Sequence, residues 1–435
     1  MRVSTSMMYD LGIATVQQRQ QDLLRLQQQI SSGRRVLTPS DDPVAAAAAL
    51  DIKQSQALNS QYHANGDTAK SQLAVEEGAL SDTTSLLQDV KTLAVYAGNA
   101  SLTNSDRSIL ATELKSRYQE LLAIANRGNG NGQYLFSGYQ GATQPFAETS
   151  PGNVAYSGDE GQRLVQIGPA RTIAVNDSGD GVFRAIRNGN GVFAVASAAS
   201  NAGGGGISPG TVTSPVTWNA PANPRDFTIK FHVDSSVVPA QTTYDIVDNV
   251  NNVSLLTGAA PAAGPYLRTY TPGSAVTLKS QVPPDTNPVP FDFGAMVSID
   301  GVPADGDMFT LKASVNQDVF TTLQGLITTL QNGVNPGVAS VATYQNSLNA
   351  SMSGLDNALD NVLKVRADIG ARLKEVDAEQ GASEDLSLQY DGRLSGLQDL
   401  DFAKAISDLN MQQIQLDAAQ KSFLKVTSLN LFSLL

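Results

Sequence analysis

Residues 401–435 read DFAKAISDLNMQQIQLDAAQKSFLKVTSLNLFSLL. Phe402, Leu409, Leu416 and Phe423 recur every seven residues, the spacing that lines apolar side chains along one seam of a helix. Ala405, Ile406, Ala419 and Val426 widen that seam, and no proline follows Pro336 to force a stop. The other end of the chain carries the same pattern, with Tyr9, Val16, Leu23 and Ile30 seven residues apart. In both segments the alternate seam position reads as glutamine: Gln20 and Gln27 in the first, Gln413 and Gln420 in the second. An apolar stripe needs a partner to keep leucine and phenylalanine out of water. The simplest partner for one end is the other end, giving paired N- and C-terminal coiled-coil helices. Two amphipathic helices packed on separate cores also satisfy the pattern.

Composition narrows the function. At 435 residues the chain can hold two or three domains with sizeable cores. It contains no cysteine, which excludes a disulfide scaffold and a zinc–thiolate site. Two histidines and one tryptophan supply little for acid–base or metal chemistry, so no enzyme activity and no cofactor are expected. A formal net charge of −12 argues against binding a nucleic-acid backbone. Asp10 interrupts the only N-terminal stretch that resembles a cleavable signal, and no apolar run approaches the roughly 18 residues of a membrane span. By the rules for cleavable signals the chain is expected in the cytoplasm, with no membrane partner.

Of the nineteen prolines, thirteen lie between Pro209 and Pro303, just after the glycine run at 203–206. The flanks read as helix and the middle as short strands and turns. The expected class is mainly α with a β-rich insertion. Residues 1–45 and 400–435 form the terminal coiled coil, 46–189 and 311–399 a helical-bundle core with a small β region, and 190–310 an outward β domain.

In chain order, the first helix ends near Ser32, with Gly33 suited to a left-handed C-terminal cap. Arg34 and Arg35 follow at the negative end of the helix dipole. In TPSDDP, Asp42 reads as a helix N-cap and Pro43 as the first helical residue, which makes Gly33, Pro39, Asp41, Asp42 and Pro43 a stop-turn-start motif. The second helix reaches about Ala97 and the third spans about Asp106 to Asn126. A strand is expected at Tyr134–Ser137, a hairpin at Val154–Tyr156 and Leu164–Ile167 around GDEG, and a strand at Thr172–Val175. The DSGDG at 177–181 lacks the alternating oxygen ligands of a calcium loop and reads as a turn. Phe227, Ile229, Phe231 and Val233 alternate with polar residues, a half-buried strand that puts His232 on its wet face with no partner in view. Helix returns at Asn316. From Pro336 the heptad Leu348, Leu355, Val362, Ile369 and Val376 runs until a slip between Gly381 and Gly396, so a bend or joint is expected before Asp401.

QQQISSGRRVLTPSDDPVAAAA at 27–48 and KVRADIGARLKEVDA at 364–378 resemble the terminal core segments of the flagellin superfamily. Three further motifs resemble its hook-associated branch: NGQYLFSGYQGATQPF at 131–146, YSGDEGQRLVQIG at 156–168 and GVPADGDMFTL at 301–311. The segment from Leu397 to Leu435 is closer to that branch than to filament flagellins. Flagellins typically carry a KDDA-like segment where this chain has SDDP, and the usual PQNVLSLL ending is reduced to the SLL of Ser433–Leu435. The resemblance covers about 1–183 and 291–435, and the stretch between is read from its residues alone.

The resemblance implies a structural protein of the bacterial flagellum, exported unfolded by the flagellar type III apparatus without a cleaved signal. Its paired termini are expected to form an inner tube. The implied interface for ring assembly comprises Tyr9, Val16, Leu23, Ile30, Phe402, Ile406, Leu409, Leu416 and Phe423. The implied partners are copies of itself, a hook-associated protein on the hook side, flagellin on the filament side, and a cytoplasmic export chaperone. The chaperone is expected to hold Phe402–Leu429, with Leu409, Leu416, Phe423 and Leu424 as its contacts. The implied role is an adaptor between hook and filament, and a filament-forming flagellin is the alternative. A third reading puts an enzyme or carbohydrate-binding module on the insertion, on the strength of Trp218, Tyr266 and Tyr270 as exposed aromatics.

Overall fold

A computed structural model of the chain describes residues 5–428, with the side chains of Thr5, Ser6, Met8 and 426–428 also outside the description. The expected seam residue Val426 and the SLL at 433–435 therefore lie outside it. The elements follow in chain order as α1 (Thr5–Ser32), α2 (Pro43–Ala97), α3 (Asn104–Ala125), β1 (Phe146–Ser150), β2 (Asn153–Tyr156), β3 (Leu164–Gly168) and β4 (Arg171–Ala174). After a π-helical turn at Asp180–Arg184 come β5 (Phe193–Ser197), β6 (Gly206–Ile207), β7 (Thr211–Val212), α4 (Pro215–Trp218), β8 (Asp226–Asp234), β9 (Gln241–Asp248) and β10 (Val253–Ser254). The remainder is β11 (Arg268–Thr269), β12 (Ala275–Lys279), β13 (Asp292–Asp300), β14 (Met308–Ala313), α5 (Val319–Asn332), α6 (Val338–Gln398) and α7 (Phe402–Ser428). Terminal helices thus flank a central β-rich region.

The chain divides into two compact units. One comprises 1–67, 166–171 and 376–435, and the other 68–165 and 172–375. The first unit is helical. Within it Asn59 donates to the Ser383 carbonyl at 2.7 Å and Gln380 to Asp67 at 2.7 Å, tying the start of α2 to the end of α6.

The second unit holds two separate hydrophobic cores. The helical core takes Leu73, Leu80, Leu87 and Val90 from α2, Leu110, Leu114 and Leu121 from α3, and Leu323, Leu326 and Leu330 from α5. Leu348, Leu355, Val362 and Ile369 of the α6 heptad point into it. At its centre Phe183 meets Phe136 edge-on at 5.1 Å and Phe146 at 5.5 Å, and Phe146 meets Phe320 at 5.5 Å. The start of α3 is fixed by a capping box in which Thr103 and Asp106 satisfy each other's backbone N–H, two residues ahead of the expected start.

The second core belongs to the β domain. A six-stranded sheet runs β10-β9-β8-β14-β5, with β11 also on β9. A four-stranded sheet runs β12-β13-β6, with β7 also on β13. Phe227, Ile229 and Phe231 of β8 alternate inward as expected, against Phe309 and Leu311 of β14 and Val297 and Ile299 of β13. His232 is not without a partner: its Nδ1 lies 2.8 Å from Asp305 Oδ1, and its side chain is part-buried.

Two expectations change and two are refined. Tyr134–Ser137 is a turn held by one bridge from Tyr134 to Gly128. β2 pairs with β1, and β3 pairs with β4, so GDEG is not a hairpin loop. The glycines of DSGDG lead into the π-helical turn. α6 runs unbroken through Gly381 and Gly396, and the joint expected before Asp401 falls at 399–401. The aromatics also move inward. Trp218 is 1% exposed between Phe193 and Phe227, Tyr270 is buried with its hydroxyl donating to the Ile299 carbonyl at 2.7 Å, and only Tyr266 is half-buried. The carbohydrate-binding reading loses its platform.

Candidate assembly site

α1 ends where Gly33 takes φ +70°, a conformation that favours glycine. The next residues meet the exit of α6. Arg35 N–H donates to the Gln398 carbonyl at 2.7 Å, Leu400 N–H to the Gly33 carbonyl at 3.0 Å, and Arg34 bridges Asp399. Arg35 fastens this crossing twice more, donating to the Leu397 carbonyl at 2.8 Å and pairing with Asp42 at 3.3 Å.

The turn that follows is built by two carboxylates. Asp41 accepts the N–H groups of Leu37 and Thr38, both at 2.9 Å, and pairs with Arg25 at 2.8 Å. Asp42 accepts the Ala45 N–H at 3.0 Å while its carbonyl accepts from Ala46, the arrangement of an N-cap with Pro43 at the first helical position. The Thr38 amide foremost holds the Asp41 carboxyl below the ordinary range, and the Ala45 amide does the same for Asp42. Pro39 sits exposed at the turn's tip.

α1 and α7 pack antiparallel. Phe402 lies by Gly33 at one end, and Tyr9 meets Phe423 at 5.3 Å between ring centroids at the other. Val16, Leu23, Ile30, Leu409, Leu416 and Phe423 are half-buried along the seam. Tyr9, Phe402 and Ile406 remain about half exposed, at 51%, 50% and 50%.

The four glutamines read into the alternate seam position do not occupy it. Gln20, Gln27, Gln413 and Gln420 are all exposed. The partly buried line instead steps through Gly12, Arg19 and Leu26 on α1, and through Ala405, Gln412 and Ala419 on α7. From each seam residue a step of three and then four reaches these residues and a step of four and then three the glutamines, and the spacing allows both. The clue that separates the two is side-chain size. A Cβ on Gly12 would lie 2.5 Å from the Phe423 ring, so only glycine lets that ring close on α1. Arg19 crosses the seam to donate to Gln415 at 2.8 Å and Gln412 at 3.4 Å.

The outer faces stay apolar. Leu11, Leu24, Ile414 and Leu424 are 57 to 67% exposed. A groove of about 280 Å³ runs between Ile13, Val16 and Gln17 on one helix and Gln420, Phe423 and Leu424 on the other. No helix among the described residues is long and apolar enough to cross a membrane.

A helical frame with terminal helices and a central β-rich region matches solved structures of flagellar hook-associated proteins. Residues 3–141 match the family described as the bacterial flagellin N-terminal helical region. More particularly, the chain is homologous to flagellar hook-associated protein 3. That of Salmonella typhimurium is 28% identical over 434 residues, which is 100% of this chain and 99% of the relative. The crystal structure of the flagellar junction protein FlgL from Legionella pneumophila superposes with a TM-score of 0.67 at 28% identity, covering 81% of this chain and 100% of that one. A flagellin of Clostridium tyrobutyricum is 35% identical, but over 113 residues, 26% of this chain and 29% of its own. Similarity to the hook-associated proteins runs end to end, which favours that reading over plain flagellin.

Proposed function

We infer that this chain is a structural subunit of the bacterial flagellum, exported by the flagellar type III route, that joins the hook side to the flagellin filament. The observation that carries the reading is the α1–α7 pair, held by a narrow seam while large apolar side chains remain outside it. Fully burying one such side chain is worth roughly 1.5–3 kcal/mol, so contact with neighbouring copies is strongly favoured. Tyr9, Val16, Leu23, Ile30, Leu409, Leu416 and Phe423 hold the pair together. Phe402 and Ile406 then meet neighbours along with the outer leucines.

A hook-associated protein is the partner below and flagellin the partner above, and the terminal helices form the inner tube. Before export a chaperone grips the C-terminal helix at Leu424. Because Leu409, Leu416 and Phe423 are half-buried against α1, their capture competes with the α1–α7 pair. Imaging flagella that carry a labelled copy tests the role. Label confined to a short ring between hook and filament is expected, and label along the filament would establish the flagellin alternative instead.

A further inference from the structure

Inside the helical core of the second unit, one carboxyl has no cation of its own. Glu76 on α2 is 1% exposed. Its Oε1 accepts the Asp177 N–H at 2.9 Å, and among the described residues its Oε2 has no hydrogen-bond partner. The Arg372 guanidinium that faces it is committed elsewhere. Arg372 on α6 donates to both carboxylate oxygens of Asp177, at 2.9 and 2.8 Å, and Gln162 donates to the same group at 2.7 Å. Arg163 also faces Glu76, but it is engaged with Gln133 at 2.6 Å and with Asn176 at 3.4 Å. Asp368, one turn before Arg372 on α6, adds a further negative charge that faces Arg372.

Burial first, and the Asp177 charge second, push the Glu76 carboxyl up to about 8. A buried oxygen without a partner is far less costly on a neutral acid than on a carboxylate. Glu76 therefore carries its proton at neutral pH, on the oxygen that Asp177 does not use.

We propose that Glu76 in its acid form is a pH-sensitive latch, fastening the Asn176–Asp177 corner to α2 while Arg372 fastens the same corner to α6. Ionisation strengthens the Asp177 N–H bond to Oε1, but burial and the Asp177 charge outweigh it, so with two carboxylates facing one bonded guanidinium the corner leaves α2 and water reaches Oε2. The corner leads into the π-helical turn at Asp180–Arg184, whose Val182 and Phe183 are core residues. Release therefore loosens the aromatic centre around Phe136, Phe146 and Phe320 as well.

The folded state keeps a proton that the unfolded chain surrenders. The stability this contributes is complete below the ordinary value of 4.5 and is lost as pH rises through about 8. Carboxyl-carbon NMR of full-length protein labelled at glutamate is expected to show one glutamate titrating near 8, absent from E76Q. In calorimetry the wild-type midpoint is expected to fall, relative to E76Q, as pH rises from about 4.5 to about 8. The NMR titration needs no variant, so it decides the matter even if E76Q folds poorly. All glutamates titrating in the ordinary range, or wild type and E76Q following parallel pH profiles, would overturn the latch.

Discussion

Asp42 caps α2 and holds Arg35 at the crossing with the α6 exit, so one carboxylate joins two pieces of local structure. Asp42→Ala is expected to lower the unfolding midpoint, with Asp42→Asn recovering the cap but not the ion pair; a difference scan of the three proteins checks it. The folded Asp41 and Asp42 carboxyls lie below their unfolded values. Their contribution is therefore present above the ordinary carboxylate range and is lost as pH falls through the lower folded values. The wild-type midpoint should consequently show an acid-side decline that Asp41→Asn and Asp42→Asn together reduce. Asp42 and Pro43 were legible in the sequence because a cap is a local event, decided by four neighbouring residues. Gly12 was not, since its role depends on a ring more than four hundred positions away. Gly12→Val should drive the Phe423 ring off α1. The nuclear Overhauser contact between the Tyr9 and Phe423 rings, 5.3 Å apart between centroids, is expected in the wild type and should be lost in that variant.

The helices were readable because each repeats its apolar spacing over many turns. The α6 heptad is a clear case, with Leu355, Val362 and Ile369 all buried. The short strands were not, because their pairing is fixed by what the chain folds against. Val154–Tyr156 reads as the partner of the strand after it, and the structure pairs it instead with Phe146–Ser150, which the sequence did not announce as a strand. Packing of the element decides such cases. α5 turns Phe320, Leu323 and Leu326 into the helical core, where Phe320 joins Tyr118, Phe146 and Phe183. Phe320→Ala is expected to destabilise the protein by about 3–5 kcal/mol in denaturant titration, with the loss set by how far the aromatic cluster collapses. Thr103→Ala, which removes one half of the α3 capping box, should cost about 0.5–2 kcal/mol by the same measurement.

At the scale of the whole chain, the change from helical to two-residue periodicity near 190 and back near 310 marks the β domain, but it does not say where that domain can be cut. The pairing does. β5 and β14 lie side by side from Phe193 opposite Ala313 to Ser197 opposite Phe309, so both edges of the insertion belong to its own sheet. Just outside them the two chain crossings are tied together, with Asn188 N–H donating to the Val315 carbonyl at 3.0 Å and Arg187 bridging Asn316. Replacing 190–313 with a short Gly/Ser linker therefore spans almost no distance. It removes the second core whole, at the loss of a few bonds such as the one Asn346 donates to the Gly205 carbonyl and the one it accepts from the Ile207 N–H. The shortened protein should keep its helical circular dichroism and unfold cooperatively. A cut at 203–290 should behave differently, because it strands Phe193, Val297, Ile299, Phe309 and Leu311 of the β core in water. That variant is expected to bind a hydrophobic dye and aggregate. Failure of the 190–313 variant to fold would show that the β core and the helical core are not separable, and a 203–290 variant that folds as well as the 190–313 one would show that the β5 and β14 edges do not mark the boundary.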